Sequence, residues 1–488
     1  LFAYTAGRWL CNEEKQLSLR RTPFNVDALE DIVCRSVAAQ RCMGWEKIGE
    51  GSFNKVFLLR FDNGREVVVR IPCPFLGNVE RTTASEVATM EYVRERWASN
   101  QGMPKPPKVV ITWNSTYNNP AGTPYIILEY AQGVPLLSRW YQIEGKVAGA
   151  ALTSLVMLET ILLHQPFSQY GSLYFADDVH GELRDRPLYP SVVPYSSSAP
   201  VQSTALKYRI GPTVNREWYR GPYSTVDADR GPWPDMQTVI QSAANFQLQA
   251  IARGIDFDSP HIKSKPSDIL ELRRLLEMCI KVASLIVPDN PAITMPVLNH
   301  PDLTLSNLIV PAEGDASVVN AIDWQCATVS PLCTQGGLPS FVTYSQARIP
   351  IPTDGSMPPW PDNFDSMPPE EQDLIRVHHR LACRHRIYSL IMHETSEDRT
   401  EAWALPHYEA LANLAPYATR CIADGPLGLR ALLVELQDKW DAIAECASAA
   451  ASCACPVDFT PDELAAHAME ARAQAEYEEN VNRLCSEI

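Results

Sequence analysis

NHPDLTLSN, residues 299–307, sets His300, Asp302 and Asn307 in a proline-bearing polar turn, and VVNAIDWQ, residues 318–325, follows about one hairpin later. A His-x-Asp-x-x-x-x-Asn match is expected by chance roughly 0.02 times in a chain of this length. The residue types suit one chemistry. A carboxylate at Asp302 accepts or orients a hydroxyl proton, an amide oxygen at Asn307 serves Mg²⁺, and the ring of His300 braces the loop by hydrogen bonds. NLIVPAEGDASVVNAIDW, residues 307–324, reads as a β-hairpin that returns Asp323 to the side of Asn307. Two oxygen donors on adjacent strands suit Mg²⁺, which completes its shell from water and phosphate. No second His or Cys stands at ligand spacing from His300, so the histidine reads as a brace and not as a metal ligand.

Far upstream, WEKIGEGSFNKVFLLRFDNGREVVVRIP (45–72) predicts strand, glycine turn, strand, an Asn63-Gly64 hairpin turn and a third strand, an antiparallel meander. Gly49 and Gly51 lack a Cβ, so backbone amides at the turn can approach a polyphosphate, although two glycines between strands also fit an ordinary hairpin. Arg70 ends the third strand. It reads either as a snorkelling edge residue or as a phosphate clamp held by a carboxylate, and Glu86 in TTASEVATMEYVRERWA (82–98) is placed for the second role, on a helix whose apolar stripe is Met90, Val93 and Trp97. Alternation along the second strand puts Val56 on one face with Asn54 and turns Lys55 to the other, so Lys55 is not expected to replace a phosphate-facing lysine.

Around these, FNVDALEDIVCRSVAA (24–39) predicts a helix capped by Asn25, and PYIILEY (124–130) a buried strand. Beyond about residue 134 the pattern is mainly helical, interrupted by irregular insertions at about 176–236 and 345–370 and closed by amphipathic stretches at 401–414, 429–445 and 460–484. The 488 residues exceed a single core, and three segments are expected: a lead-in with a helix (1–44), a strand-rich segment (45–133) and a helical segment (134–488).

Hydrophobic content of 45% and charged content of 20% are those of a folded globular protein. A formal net charge of -16 argues against a nucleic-acid-binding face. Thirteen cysteines without a CxxC pair predict free thiols in a reducing, intracellular compartment, and the CxC of Cys453 and Cys455 reads as small buried or solvated thiols. VAGAALTSLVMLETILL (147–163) is broken by Thr153, Ser154, Glu159 and Thr160, which predicts a buried helix and no transmembrane segment. Opening on Leu1, the chain is expected to be processed, trimmed or a fragment.

The order glycine turn, strand-end cation, helix glutamate, apolar strand, HxDxxxxN loop and hairpin to Asp323 resembles the protein-kinase-like phosphotransferases, and within them the aminoglycoside phosphotransferase and choline kinase branch. EGSFNKVFLL, TTASEVATMEYV, YIILEYAQGV, GSLYF, RGPW and IDWQCATVSPL further resemble the fungal family named for altered inheritance of mitochondria protein nine, across nearly the whole chain. The resemblance implies a two-lobed α+β fold with a small antiparallel-sheet, nucleotide-binding N-lobe (45–133) and a mainly helical C-lobe (134–488), ATP and Mg²⁺ as cofactors, and a mitochondrial setting. It further implies that Gly49 and Gly51 cover the nucleotide phosphates, Val56 roofs the adenine, and Glu129 and Ala131 offer it backbone hydrogen bonds. Asp302 would be the catalytic base, and Asn307 and Asp323 would hold Mg²⁺.

Three features depart from the pattern. Arg70 stands where kinases carry lysine, Asn54 replaces the third glycine of the turn, and Trp324-Gln325 replaces the Phe-Gly of the metal loop with no Ala-Pro-Glu segment after it. The last departure predicts a small-molecule acceptor, bound in a crevice to which the 176–236 insertion contributes. Two functions are therefore carried forward: phosphotransfer to a small-molecule hydroxyl, and a pseudokinase that serves as a nucleotide-binding regulator or scaffold.

Overall fold

The alternating apolar residues of 42–72 do form strands. In the computed structural model, which describes residues 1–9, 12–98, 110–163, 165–191, 204–255, 266–335, 337–346 and 348–487, α1 (Glu13–Leu19) and α2 (Val26–Val37) precede β1 (Cys42–Glu50), β2 (Asn54–Phe61) and β3 (Glu66–Pro72). The side chain of Asn25 accepts from Ala28 N and starts α2 as its sequence position predicts. Between β2 and β3, Gly64 takes φ +76°, the conformation a tight hairpin requires there.

After α3 (Val79–Ala98), β4 (Val110–Asn114) and β5 (Tyr125–Glu129) complete a five-stranded antiparallel sheet of order β1-β2-β3-β5-β4. β4 has no counterpart in the sequence reading, and its side chains are all only half-buried, which leaves little alternation to detect. One face of the sheet packs Phe57, Leu59, Val67, Val69 and Ile71 against Leu29, Val33 and Val37 of α2.

The chain groups into two compact units: residues 1–216, 297–330 and 337–400 in one, residues 217–296, 331–336 and 401–488 in the other. The first contains the sheet, the short α4 (Leu137–Trp140), α5 (Gly145–Leu163) and the helix Pro369–Thr395 that packs beside α5. By length and composition α5 is apolar enough to cross a membrane. In this fold Leu152, Leu155, Val156 and Leu158 enter a large core cluster, and Glu159 accepts from Tyr388 and from Arg399 at 2.9 Å.

The 176–236 insertion is more regular than its composition suggests. Strand Tyr208–Gly211 within it pairs with Ser172–Phe175, and short 3-10 turns punctuate the rest, while 192–203 lie outside the described residues. The 345–370 insertion is seated on the helix Pro369–Thr395, where the ring of His379 stacks on Trp360 at 3.8 Å and its Nε2 meets the Pro358 carbonyl at 2.9 Å.

In the second unit, helix Tyr408–Asp424 packs on Met236–Ala252 and on Leu427–Asp438. Two of the three closing stretches are broken where the sequence pattern runs on. Residues 401–414 split before Tyr408, next to Pro406, which cannot supply a backbone N–H to a helix interior, and 429–445 split at Lys439. The last runs unbroken from Pro461 to Glu487 on the surface, tied down where Arg430 meets Glu470 at 2.5 Å.

Candidate active site

Strand alternation assigns the first side chains of the site. Val56 lies opposite Arg70 across the β2–β3 ladder and Lys55 opposite Ile71, so Lys55 points to the face away from Arg70, as predicted. There Lys55 is fully buried, and its Nζ donates to Glu50 and to the Ala3 carbonyl at 3.0 Å. Glu50 stands between Gly49 and Gly51. Its carboxylate also accepts from Lys47 at 2.8 Å and from Thr5 through the backbone N at 2.7 Å and Oγ1 at 3.0 Å. Burial pushes the Glu50 carboxyl up, but the donors from Lys47, Lys55 and Thr5 outweigh it and hold the group at about 2. The glycine turn is thus anchored from behind by residues 3–5, a link between positions too distant for sequence spacing to reveal.

On the opposite face Arg70 is buried, with one guanidinium nitrogen on Glu86 and another on Asp323 at 2.5 Å. The predicted Arg70–Glu86 pair is therefore present, and the third member, Asp323, is 253 residues from Arg70. Burial raises the Glu86 carboxyl, to about 7, while Arg70 pulls it back. Burial pulls the guanidinium down, but Glu86 and Asp323 raise it further, so Arg70 stays charged.

The HPDLTLSN loop closes on itself. His300 Nδ1 accepts from Asp302 N at 3.2 Å and Nε2 meets the Ile322 carbonyl at 3.0 Å, which assigns the proton to Nε2. The ring of Trp324 packs edge-on to His300 at 4.4 Å, and its Nε1 donates to the Ala321 carbonyl at 2.9 Å. Asn307 Nδ2 donates to the Asp302 carbonyl at 2.8 Å and to its carboxylate at 3.0 Å. Strand Leu308–Val310 pairs with Asn320–Ala321, and Ile322 N reaches the Asn307 carbonyl at 2.9 Å, so the predicted hairpin does bring Asp323 beside Asn307. Asp323 takes φ +67°, a left-handed conformation that asparagine and aspartate tolerate better than most residues.

Burial holds the His300 imidazole down, to about 4. A base whose folded value lies below its unfolded one, about 6.5, contributes stability above pH 6.5 that is lost as pH falls toward 4. The loss between pH 7 and 4.5 is about 2 kcal/mol. Urea unfolding at pH 7 and 4.5 checks this: His300→Gln should lose correspondingly less stability over that interval, and an equal loss in both proteins would remove the assignment.

Two devices escaped sequence reasoning. Arg139 of α4 donates to the carbonyls of Pro311 at 2.6 Å, Gly314 at 2.7 Å and Asp315 at 3.0 Å, holding the tip of the hairpin. Gly133 takes φ +127°, and a side chain there would collide with the Val310 carbonyl oxygen. Glu129 ends β5 opposite Val67, and Ala131 follows it on the segment leading to Gly133. Gly51 faces open space and Gly49 lies against Val56.

Asn307 has its side-chain nitrogen committed to Asp302, which turns its carbonyl oxygen away and leaves it available. Asp323 gives one carboxylate oxygen to Arg70 and has a side chain 41% exposed, so the second oxygen is accessible. That pair fits a hard cation that takes the rest of its shell from water and phosphate. Among the described residues no group of three or more His, Cys, Asp or Glu forms a metal site of its own.

The chain matches no family model. It is 28% identical to a subtelomeric hrmA-associated cluster protein of Aspergillus fumigatus, over 91% of this chain and 87% of that protein. It is 23% identical to the mitochondrial altered inheritance of mitochondria protein 9 of Candida dubliniensis, over 96% of this chain and 80% of that protein. To the Yarrowia lipolytica protein of the same name it is 25% identical, over 71% and 62%. Among solved structures, a fructosamine-3-kinase of Thermobifida fusca described as putative aligns with TM-score 0.39 at 12% identity, over 88% of this chain and all of that one. The aminoglycoside phosphotransferase APH(4)-Ia aligns with TM-score 0.35 at 15% identity, over 82% and 98%. With its five-stranded sheet, its strand–helix Arg70–Glu86 pair and its loop-to-hairpin Asp302, Asn307 and Asp323, the chain is an α+β protein similar in sequence, at modest identity, to the fungal altered inheritance of mitochondria 9 proteins.

Proposed function

We propose that this protein transfers the γ-phosphoryl group of ATP to the hydroxyl of a small molecule. The observation that carries the reading is the junction of Asp302, Asn307 and Asp323: one side-chain amide bonds the Asp302 carboxylate while the same residue's carbonyl receives the N–H of Ile322. In this reading Asp302 takes the acceptor's proton, His300 holds the loop neutral and fixed, and backbone amides at Gly49 and Gly51 cover the phosphates. Val56 covers the adenine, whose edge meets the backbone of Glu129 and Ala131. Arg70, fixed by Glu86, would contact the phosphates. Asn307 and Asp323 would hold Mg²⁺, which when bound supplies charge neutralisation on the phosphates. The acceptor is small because no protein-kinase activation segment follows Gln325.

A second reading, a nucleotide-binding pseudokinase with a regulatory or scaffold role, is favoured by one observation: the guanidinium of Arg70 is already shared between Glu86 and Asp323. A mitochondrial location accompanies either reading and rests on the names of the relatives.

Calorimetric titration of ATP with and without Mg²⁺, into wild type and Asp323→Asn, separates these. The phosphotransferase reading expects magnesium-dependent binding that Asp323→Asn weakens at least tenfold, and about 2.7 kcal/mol of added stability at a hundredfold excess of nucleotide. Binding indifferent to Mg²⁺ and to Asp323 moves the assignment to the pseudokinase. No binding by folded protein removes the nucleotide site.

A further inference from the structure

Two of the departures noted in the sequence meet each other. Asn54 Nδ2 donates to Gln325 Oε1 at 2.9 Å, and Gln325 Nε2 donates to Asn54 Oδ1 at 3.1 Å, a closed reciprocal amide pair between positions 271 residues apart. Both side chains are buried, at 8% and 9% exposure, so neither amide exchanges this partner for water at no cost. Asn54 begins β2, at the end of the glycine turn, and Gln325 lies two residues beyond Asp323. The tip of the same turn is held a second time, where the Arg216 guanidinium lies over the Phe53 ring at 4.2 Å.

A glycine at position 54 could make no side-chain contact with the metal loop, and a glycine at 325 could offer no amide. Each departure therefore supplies the half of a bond that the other needs. We propose that Asn54 and Gln325 are a positioning pair that sets the glycine turn down on the Asp323 loop and gates entry of the nucleotide phosphates between them. The inference rests on the nucleotide-site reading above. In that reading the triphosphate enters between the two elements that this contact joins, so entry would require both hydrogen bonds to open. The population of the open turn is reduced accordingly, and the apparent association rate falls with it.

The test uses the full chain as Asn54→Gly, Gln325→Ala, the double variant, and the exchanged pair Asn54→Gln/Gln325→Asn, which conserves the combined side-chain length. Hydrogen exchange of residues 49–57 without nucleotide reads the latch directly. Stopped-flow association of a fluorescent ATP analogue with Mg²⁺ reads the gate. Each single variant should raise turn exchange and association about tenfold, the double variant should add little to either single, and the exchanged pair should return toward wild type. Unchanged exchange in both singles overturns the pair as a positioning device, and faster exchange with unchanged association overturns the gate. Should no variant bind the analogue, the nucleotide reading fails while the exchange result still decides whether the pair holds the turn.

Discussion

Asp302→Asn should lower ATP turnover by a factor of about 10² to 10⁴ while leaving nucleotide affinity within a few-fold of wild type. The asparagine is nearly isosteric, and its side-chain oxygen can still accept from Asn307 Nδ2, now at 3.0 Å from the Asp302 carboxylate. The loop therefore keeps its internal bond, and what disappears is the capacity to take a proton. Phosphate release from ATP, with water or a screened small alcohol as acceptor, measures the rate, and calorimetry measures binding on the same preparation. A variant that turns over at the wild-type rate would eliminate Asp302 as the base. A parallel loss of binding and rate would instead mark the residue as part of the loop's architecture.

The second large effect concerns stability. Arg70 and Glu86 have side chains only 8% and 1% exposed, and Arg70 also engages Asp323. Arg70→Met should cost about 3 to 5 kcal/mol, because it strands Glu86 in the interior without a partner. Adding Glu86→Leu to it should recover most of that loss, since an apolar pair of similar volume carries no desolvation penalty. Urea unfolding of the two singles and the double variant measures the coupling. If Arg70→Met loses less than about 1 kcal/mol, the pair behaves as a surface ion pair and the buried-clamp description fails. Arg70→Lys asks a separate question: a lysine keeps the charge but lacks the fork that spans two carboxylates, so the link to Asp323 should loosen while the pair with Glu86 persists.

Local pattern carried much of this molecule. Period-two alternation placed β1 to β3, a continuous apolar run placed β5, Asn63-Gly64 marked the hairpin, Asn25 marked the start of α2, and the spacing of 299–323 predicted both the loop and the hairpin that returns Asp323. The opposite orientations of Val56 and Lys55 followed from the same alternation. These features depend on neighbours a few residues away, and such neighbours are visible in a linear text.

Only the tertiary structure decided what the exceptional residues do. Arg70 reads from sequence as a lysine substitute, yet its second carboxylate comes from the Asp323 loop. Asn54 reads as a missing glycine and Gln325 as a missing loop residue, and they are the two halves of one bond. Lys55 reads only as turned to the face away from Val56, and there it joins Lys47 and Thr5 in holding Glu50 behind the glycine turn. Arg139, which nothing in the sequence singles out, holds the hairpin tip. Except for Lys55 and Glu50, which face each other across the β1–β2 hairpin, the partner lies far away in sequence and no periodicity links the two positions. The alternation of a strand dictates which way a side chain points, whereas the partner it finds there depends on how separate elements pack around a common core.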